Sequence, residues 1–227
     1  MKNMQNAENL ANEMIEIGKL ANRETVCILT NMDEPLGYAV GNNLEVIEAI
    51  EFLKGKMPED LKEVVLELGA YMIKLAGLGN NLEENKMKML ENINNCKAFD
   101  KFAEMVKNQG GDISYLESTS KFATAKYIES IKAEKNGYIQ EINAEEVGKL
   151  ACDLGAGRIR KEDKIDYTVG IKLCKKVSEK VSQGDDLAYI YANDIEKLKI
   201  AKQKLKNIIK INKEQINKKP TIFGICK

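Results

Sequence analysis

The sequence predicts an α/β segment that holds only part of its sheet, followed by an α+β domain. Three observations carry that expectation. Residues 1–110 offer about five helical stretches around one convincing strand, too few strands for a complete α/β domain. The periodicity then fades between Gly110 and about Thr124. Beyond that point short strands alternate with two helices. The expected division is 1–112 for the first domain, 113–125 for a linker and 126–227 for the second domain.

In chain order, Asn6 to Ala21 reads as an amphipathic helix capped by Asn6, with Leu10, Met14, Ile17 and Leu20 at helical spacing. Thr25 to Thr30 is short, partly β-branched and apolar, which suits a strand buried on both faces of an α/β sheet. The segment Asn31–Asn43 follows it with one Pro and two Gly, where ligand loops of open α/β sheets sit. Helices are expected over Leu44–Leu53, from Pro58 to about Leu75, over Leu82–Asn94 and over Ala98–Lys107, the last ended by Gly110-Gly111. In the second part, Tyr127–Lys132 and Tyr138–Ile142 read as strands of a hairpin turning at Asn136-Gly137. Asn143 and Glu146 form a capping box for a helix ending near Leu154-Gly155. Strands at Tyr167–Leu173 and Leu187–Tyr191, a Lys-rich helix over Asp194–Ile211 and an edge strand over Pro220–Cys226 complete the pattern.

Composition excludes several chemistries. The 227 residues carry 35 basic and 35 acidic side chains, so net charge gives no footprint for nucleic acid or an anionic membrane. The Lys cluster between Lys197 and Lys219 reads as a solvated face. With no histidine, the chain has no Ser-His or Cys-His nucleophile and no His-based zinc site. The five cysteines lack ligand-like spacing and read as reduced cytosolic thiols. No apolar stretch approaches the ~20 residues of a membrane span, and Met1 to Asn6 does not read as a secretion signal. The expected localisation is cytoplasmic, with no nucleic-acid or membrane partner.

Residues 32–54, from Met32-Asp-Glu-Pro-Leu-Gly through Glu48-Ala-Ile to Lys54, resemble the MDxPLGYAVGNxLEVxEAI segment of the pyrimidine-nucleoside and thymidine phosphorylases. The resemblance continues at Pro58–Leu61, Gln109–Asp112, Leu154–Arg158, Lys161–Asp163, Ile165-Asp166 and Val169-Gly170. Ile171 to Gly184 is similar to the family's IxLxKKVGDKVxxG hairpin, with Ser178 in place of a Gly, and Pro220 to Ile225 resembles its closing strand. Several long motifs in one order make this a specific signal.

The resemblance implies reversible phosphorolysis of thymidine or uridine to the free base and a (deoxy)ribose 1-phosphate. It also implies that the phosphate loop, its Lys, and the Arg, Ser and Lys that grip the base lie N-terminal to the position matching Met1. No catalytic residue and no organic cofactor are therefore assigned to this chain, which is expected to be inactive alone. Phosphate and pyrimidine nucleoside are expected partners of the full-length parent, itself expected to be a homodimer in pyrimidine salvage. Whether the chain is a truncation or half of a split enzyme stays open, as do a non-catalytic scaffold and a cation-binding module. One element maps onto this chain by resemblance: a partial potassium site from the carbonyls of Leu36 and Ala39 and the carboxylate of Glu48. Without the resemblance, Leu36 and Ala39 read as loop residues packing on the domain, and Glu48 as part of a solvated helix face.

Three further readings are bland. Leu154-Gly-Ala-Gly-Arg158 reads as a helix C-cap and turn rather than a phosphate loop. Arg158, Lys161 and Asp163 receive no catalytic role. Met72, Met87, Met89 and Met105 read as core filler, and Lys175 and Lys176 as turn and edge charges rather than a swinging-arm lysine.

Overall fold

A computed structural model describes residues 3–227, so Met1 and Lys2, the start of the segment read as lacking a secretion signal, lie outside the described residues. Two compact units interleave along the chain. One comprises Met1–Asn31, Glu59–Ala98 and Lys219–Lys227, and the other Met32–Pro58 and Phe99–Lys218. The fading periodicity suggested a boundary at 113–125 between 1–112 and 126–227; the compact units group Met32–Pro58 with Phe99–Lys218.

In the first unit, helix α1 spans Met4–Leu20 and is capped by Asn3, whose side chain accepts from the Asn6 N–H. The cap thus sits one turn before the Asn6 expected. The face of α1 that packs is Ala11, Ile15 and Gly18, while Leu10, Met14, Ile17 and Leu20 are exposed, a reversal of the expected stripe. Gly18 explains the choice of face: a Cβ there would fall 2.0 Å from Thr25 Oγ1, so only a small residue admits the returning chain.

Strand β1, Cys27–Thr30, is half-buried rather than covered on both faces. It pairs antiparallel with the last strand, Ile222–Cys226, in a two-stranded sheet, with Cys27 opposite Cys226. The expected closing strand is therefore present, and its partner is β1. Two more helices, Glu59–Leu75 and Leu82–Asn94, pack on each other. Gly69 makes the gap that Met89 fills. Met72 and Met87 are exposed instead of core, and so is Met105.

The second unit contains β2 (Ala39–Val40), α2 (Asn42–Leu53) and, from Phe99 onward, α5 (Lys97–Asn108, counting the two helices above as α3 and α4), followed by the short α6 (Ser114–Glu117). Strands β3 (Tyr127–Lys132) and β4 (Gly137–Ile142) precede α7 (Ala144–Leu154). Strands β5 (Gly170–Leu173), β6 (Lys180–Val181) and β7 (Asp186–Ala192) lead to α8 (Ile195–Ile208) and β8 (Ile209–Asn212). The closing strand Ile222–Cys226 is then β9.

An antiparallel sheet runs β2-β5-β7-β3, and a second runs β6-β4-β8. One core joins Ile131, Ile139, Ile142, Val147, Ile171, Ile190, Leu198 and Leu205. The fold is α+β.

Four expectations change here. Strands β3 and β4 do not form a hairpin: β3 pairs with β7, and β4 with β6 and β8. Asn136 lies in the bend between them, and its side chain accepts from the Gln183 N–H (2.7 Å). The Lys-rich helix ends at Ile208, and Ile209–Asn212 peels off as β8, where Ile209 is buried. Strand β5 begins at Gly170, not Tyr167, because Asp166 takes both the N–H and the hydroxyl of Thr168 in a local turn. The expected linker 113–125 contains α6 and a 3₁₀ turn at Thr119–Lys121.

The lysines of α8 are ion-paired as well as solvated, Lys204 to Asp153 (2.8 Å) and Lys206 to Glu134 (2.6 Å). No helix among the described residues is long and apolar enough to cross a membrane.

Candidate functional site

The segment between β1 and α2 positions the site. Strand β2 is the edge of its sheet, pairing Ala39 with Lys172 and Val40 with Ile171 of β5. The Leu173 N–H donates to the Tyr38 carbonyl (2.7 Å), so Tyr38 joins β5 through its carbonyl alone, and Val40 is the next hydrogen-bonded position. Antiparallel pairing alternates such positions, so the N–H and C=O of Ala39 turn away from β5, on the open side of the edge strand.

Glu48 of α2 reaches that open side. Its Oε1 accepts from the Tyr38 N–H (2.9 Å) and its Oε2 from the Ala39 N–H (3.4 Å). Glu48 is therefore half-buried on the β2 backbone and is not part of a solvated face. Gly37 makes the approach possible. It holds φ +66°, and a Cβ on it would lie 2.3 Å from Glu48 Oε2. In the same helix start, Glu45 accepts from the Gly41 N–H (3.0 Å).

On the other side of the loop stands a residue that the sequence suggested was an ordinary turn or edge charge and that is instead buried. Lys176 is only 3% exposed. Its ammonium donates to the Gly37 carbonyl (2.9 Å) and to the Pro35 carbonyl. Glu34 Oε2 lies 3.7 Å away and also accepts from the Val177 N–H (2.9 Å). The Tyr38 ring centroid is 5.5 Å from the ammonium. Nothing in a single sequence separates Lys176 from its neighbour Lys175, since the partners of Lys176 lie about 140 residues earlier, as the separations of 141 and 139 show.

The remaining shared motifs converge on the start of α2. Asn42 Nδ2 donates to the Ala156 carbonyl (2.8 Å) and the Asn43 N–H to the Tyr167 carbonyl (3.0 Å). Gly41 and Gly170 cross backbone on backbone: a Cβ on Gly170 would lie 2.4 Å from the Val40 carbonyl oxygen and 3.1 Å from Gly41 Cα. Leu154–Arg158 is a helix end, with Gly155 at φ 121° as the C-cap of α7 and no helix starting after it. Asp163 accepts from the Ile159 and Arg160 amides (3.1 and 2.8 Å), a local turn. Burial pushes the Asp166 carboxyl up, but the hydrogen bonds from Thr168 and Asn193 outweigh it and hold the group below the usual carboxylate range.

Of the residues singled out by sequence, Ala39 and Glu48 are in direct contact. Leu36 lies half-buried in the same loop, between Pro35 and Gly37. The donors expected from Leu36, Ala39 and Glu48 are all oxygens: two backbone carbonyls and a carboxylate with acceptor capacity left after two N–H bonds. That set suits a hard cation and offers nothing to a soft one. Among the described residues, no group of three or more acidic or thiol side chains could hold a metal ion, so carbonyls would make up most of any such shell.

Comparison with known proteins gives this geometry a family. Residues 138–212 match the pyrimidine nucleoside phosphorylase C-terminal domain. The pyrimidine-nucleoside phosphorylase of Bacillus subtilis (strain 168) is 47% identical over 193 residues, 85% of this chain and 45% of that protein. The pyrimidine-nucleoside phosphorylase of Staphylococcus aureus (strain USA300) is 44% identical over the same shares. The chain thus spans about half the length of the curated relatives it matches. These matches place the chain in the pyrimidine-nucleoside phosphorylase family, as its C-terminal half.

Proposed function

We propose that this chain serves the reversible phosphorolysis of pyrimidine nucleosides, as the part of a phosphorylase that frames the site rather than the part that grips the reactants. The observation that carries the reading is 47% identity to a pyrimidine-nucleoside phosphorylase across 85% of the chain. In that reaction phosphate attacks the anomeric carbon and the base leaves. The nucleophile is itself a substrate, so the protein's contribution is positioning and charge stabilisation. By family resemblance, the phosphate loop and the base-gripping side chains belong to the half of the relatives that this chain does not match. The first compact unit is then one portion of a larger α/β domain, and thymidine and uridine are the substrates of the whole.

Within this chain we assign Leu36, Ala39 and Glu48 to a potassium site. The carbonyls of Leu36 and Ala39 and the carboxylate of Glu48 would hold the ion, which supplies a fixed positive charge beside the loop. Glu48 has a second task that needs no ion: it locks the Tyr38 and Ala39 amides.

Two measurements test the proposal. Purified chain incubated with thymidine or uridine and inorganic phosphate should release no free base; turnover at an enzyme's ordinary rate by the chain alone would contradict the division of labour. Thallous ion, a potassium probe read by 205Tl NMR, should broaden with this chain and not with its Glu48→Ala variant. An equal response from both would remove Glu48 from the site.

A further inference from the structure

Lys176 is used by neither the sequence reading nor the cation assignment, yet it is the most deeply buried charged side chain outside the first unit. Burying an ammonium is costly unless oxygens replace its water. Here the replacements are two backbone carbonyls, a carboxylate at 3.7 Å and a ring face.

The partner on the Gly37 side is decisive. The Gly37 carbonyl and the Tyr38 N–H belong to one peptide unit. A trans peptide is planar, and its C=O and N–H point in opposite directions. The carbonyl end of this unit meets Lys176 (2.9 Å), and the N–H end meets Glu48 (2.9 Å). One peptide dipole therefore lies between a buried ammonium and a half-buried carboxylate, its negative end on the cation and its positive end on the anion. Each charge polarises the peptide in the sense that strengthens the bond to the other. The two hydrogen bonds hold the peptide at both ends, and no side chain could replace the Gly37 hydrogen without striking Glu48.

We infer that Lys176 is a positioning residue: its ammonium is a built-in monovalent cation that fixes the Gly37–Tyr38 peptide and, through it, the carboxylate of Glu48. The inference concerns the loop to which potassium is assigned above, and its importance for that site rests on that reading. Lys176 fills two carbonyls, Pro35 and Gly37, that would otherwise compete for a mobile cation, and Glu48 is held at the other end of the Gly37–Tyr38 peptide.

The test is hydrogen exchange by NMR on the full chain and on Lys176→Met. In the variant, exchange at the Tyr38 and Ala39 amides should rise at least tenfold, while core amides such as Ile131 and Ile190 keep their protection. Ammonium chloride should restore the protection, and tetramethylammonium chloride at equal ionic strength should not, because only the small cation fits between the carbonyls. Unchanged protection at Tyr38 and Ala39, or equal rescue by both salts, would overturn the inference.

If the variant does not fold, the unaltered chain decides. The Lys176 ammonium should give a slowly exchanging 15N-bound proton signal coupled to the Gly37 carbonyl carbon. A lysine signal exchanging as fast as those of surface lysines would overturn the proposal. The thallous-ion experiment stays separate: a chain with these Lys176 signals but no thallium response sinks the cation site and leaves the clamp.

Discussion

Glu48 shows how one side chain can be misread from composition and recovered from geometry. Glu45 and Glu51 flank it on the same helix, so a solvated face is the default reading, yet its oxygens hold two backbone amides. Glu48→Ala should therefore lower the urea-unfolding free energy by about 1–3 kcal/mol, the usual cost of leaving amides without a charged acceptor. A change under a few tenths would put Glu48 back in solvent. Ser178 is a second case. It stands where the family pattern has Gly and holds φ +75°, while its hydroxyl donates to the Ile216 carbonyl (2.6 Å). Ser178→Ala loses the hydroxyl bond and keeps the strain; Ser178→Gly loses the bond and relieves the strain. Glycine should be the more stable variant by about 1 kcal/mol in thermal unfolding, and the reverse order would remove the strain argument.

Asp186 carries the clearest pH dependence. Hydrogen bonds from Lys132, Tyr189 and Ser130 lower its carboxyl to about 2. A depressed carboxylate stabilises the fold fully above its unfolded pKa and loses that contribution as pH falls through the folded value. For Asp186 the loss should run from roughly pH 4 down to about pH 2. Asp186→Asn should flatten the stability profile in that window and leave it unaltered near neutrality in shape.

Helices and caps were the legible elements. Leu82–Asn94 and the end of α7 at Leu154 follow directly from Asn81 and Asn143 as caps and Gly155 as C-cap, all within a turn of the residues they serve. Several strands were legible as strands, β3 to the residue, but β2 and β8 were not, and neither was the pairing of β3 and β4. The Asn136-Gly137 signal is local, whereas the real partners of β3 and β4 lie at Asp186–Ala192 and Ile209–Asn212, where contacts far along the chain decide. Ile209 and Ile211 alternate as a strand should, but they follow the α8 run without a breaker, so helical propensity hid them. Gly137 marks the real event. A Cβ there would sit 2.3 Å from the Asn212 carbonyl oxygen, so Gly137→Ala should part β4 from β8 and cost about 1–3 kcal/mol. Wild-type stability in that variant would mean the two strands are not held so closely. For the candidate site, motif resemblance pointed to the loop and to Glu48 but not to Lys176, because the surroundings of Lys176 depend on carbonyls brought to it by the fold.

At the scale of the molecule, the shared motifs are explained by how they meet. Residues 36–43, 154–158 and 165–170 are far apart in sequence, and they come together through Asn42, Asn43 and the Gly41–Gly170 crossing, which hold the start of α2 and the loop before it. The motifs are thus mostly the scaffolding of one loop, in keeping with the framing role proposed above. The relatives are matched over 45% of their length, so the decisive experiment supplies the rest. The matched 193-residue stretch of the Bacillus subtilis pyrimidine-nucleoside phosphorylase would be replaced by its counterpart from this chain, and thymidine and uridine phosphorolysis measured. A folded chimera should retain kcat/KM within about tenfold of the parent, a loss no larger than ~1.4 kcal/mol of transition-state stabilisation. A folded chimera with no phosphorolysis would contradict the account.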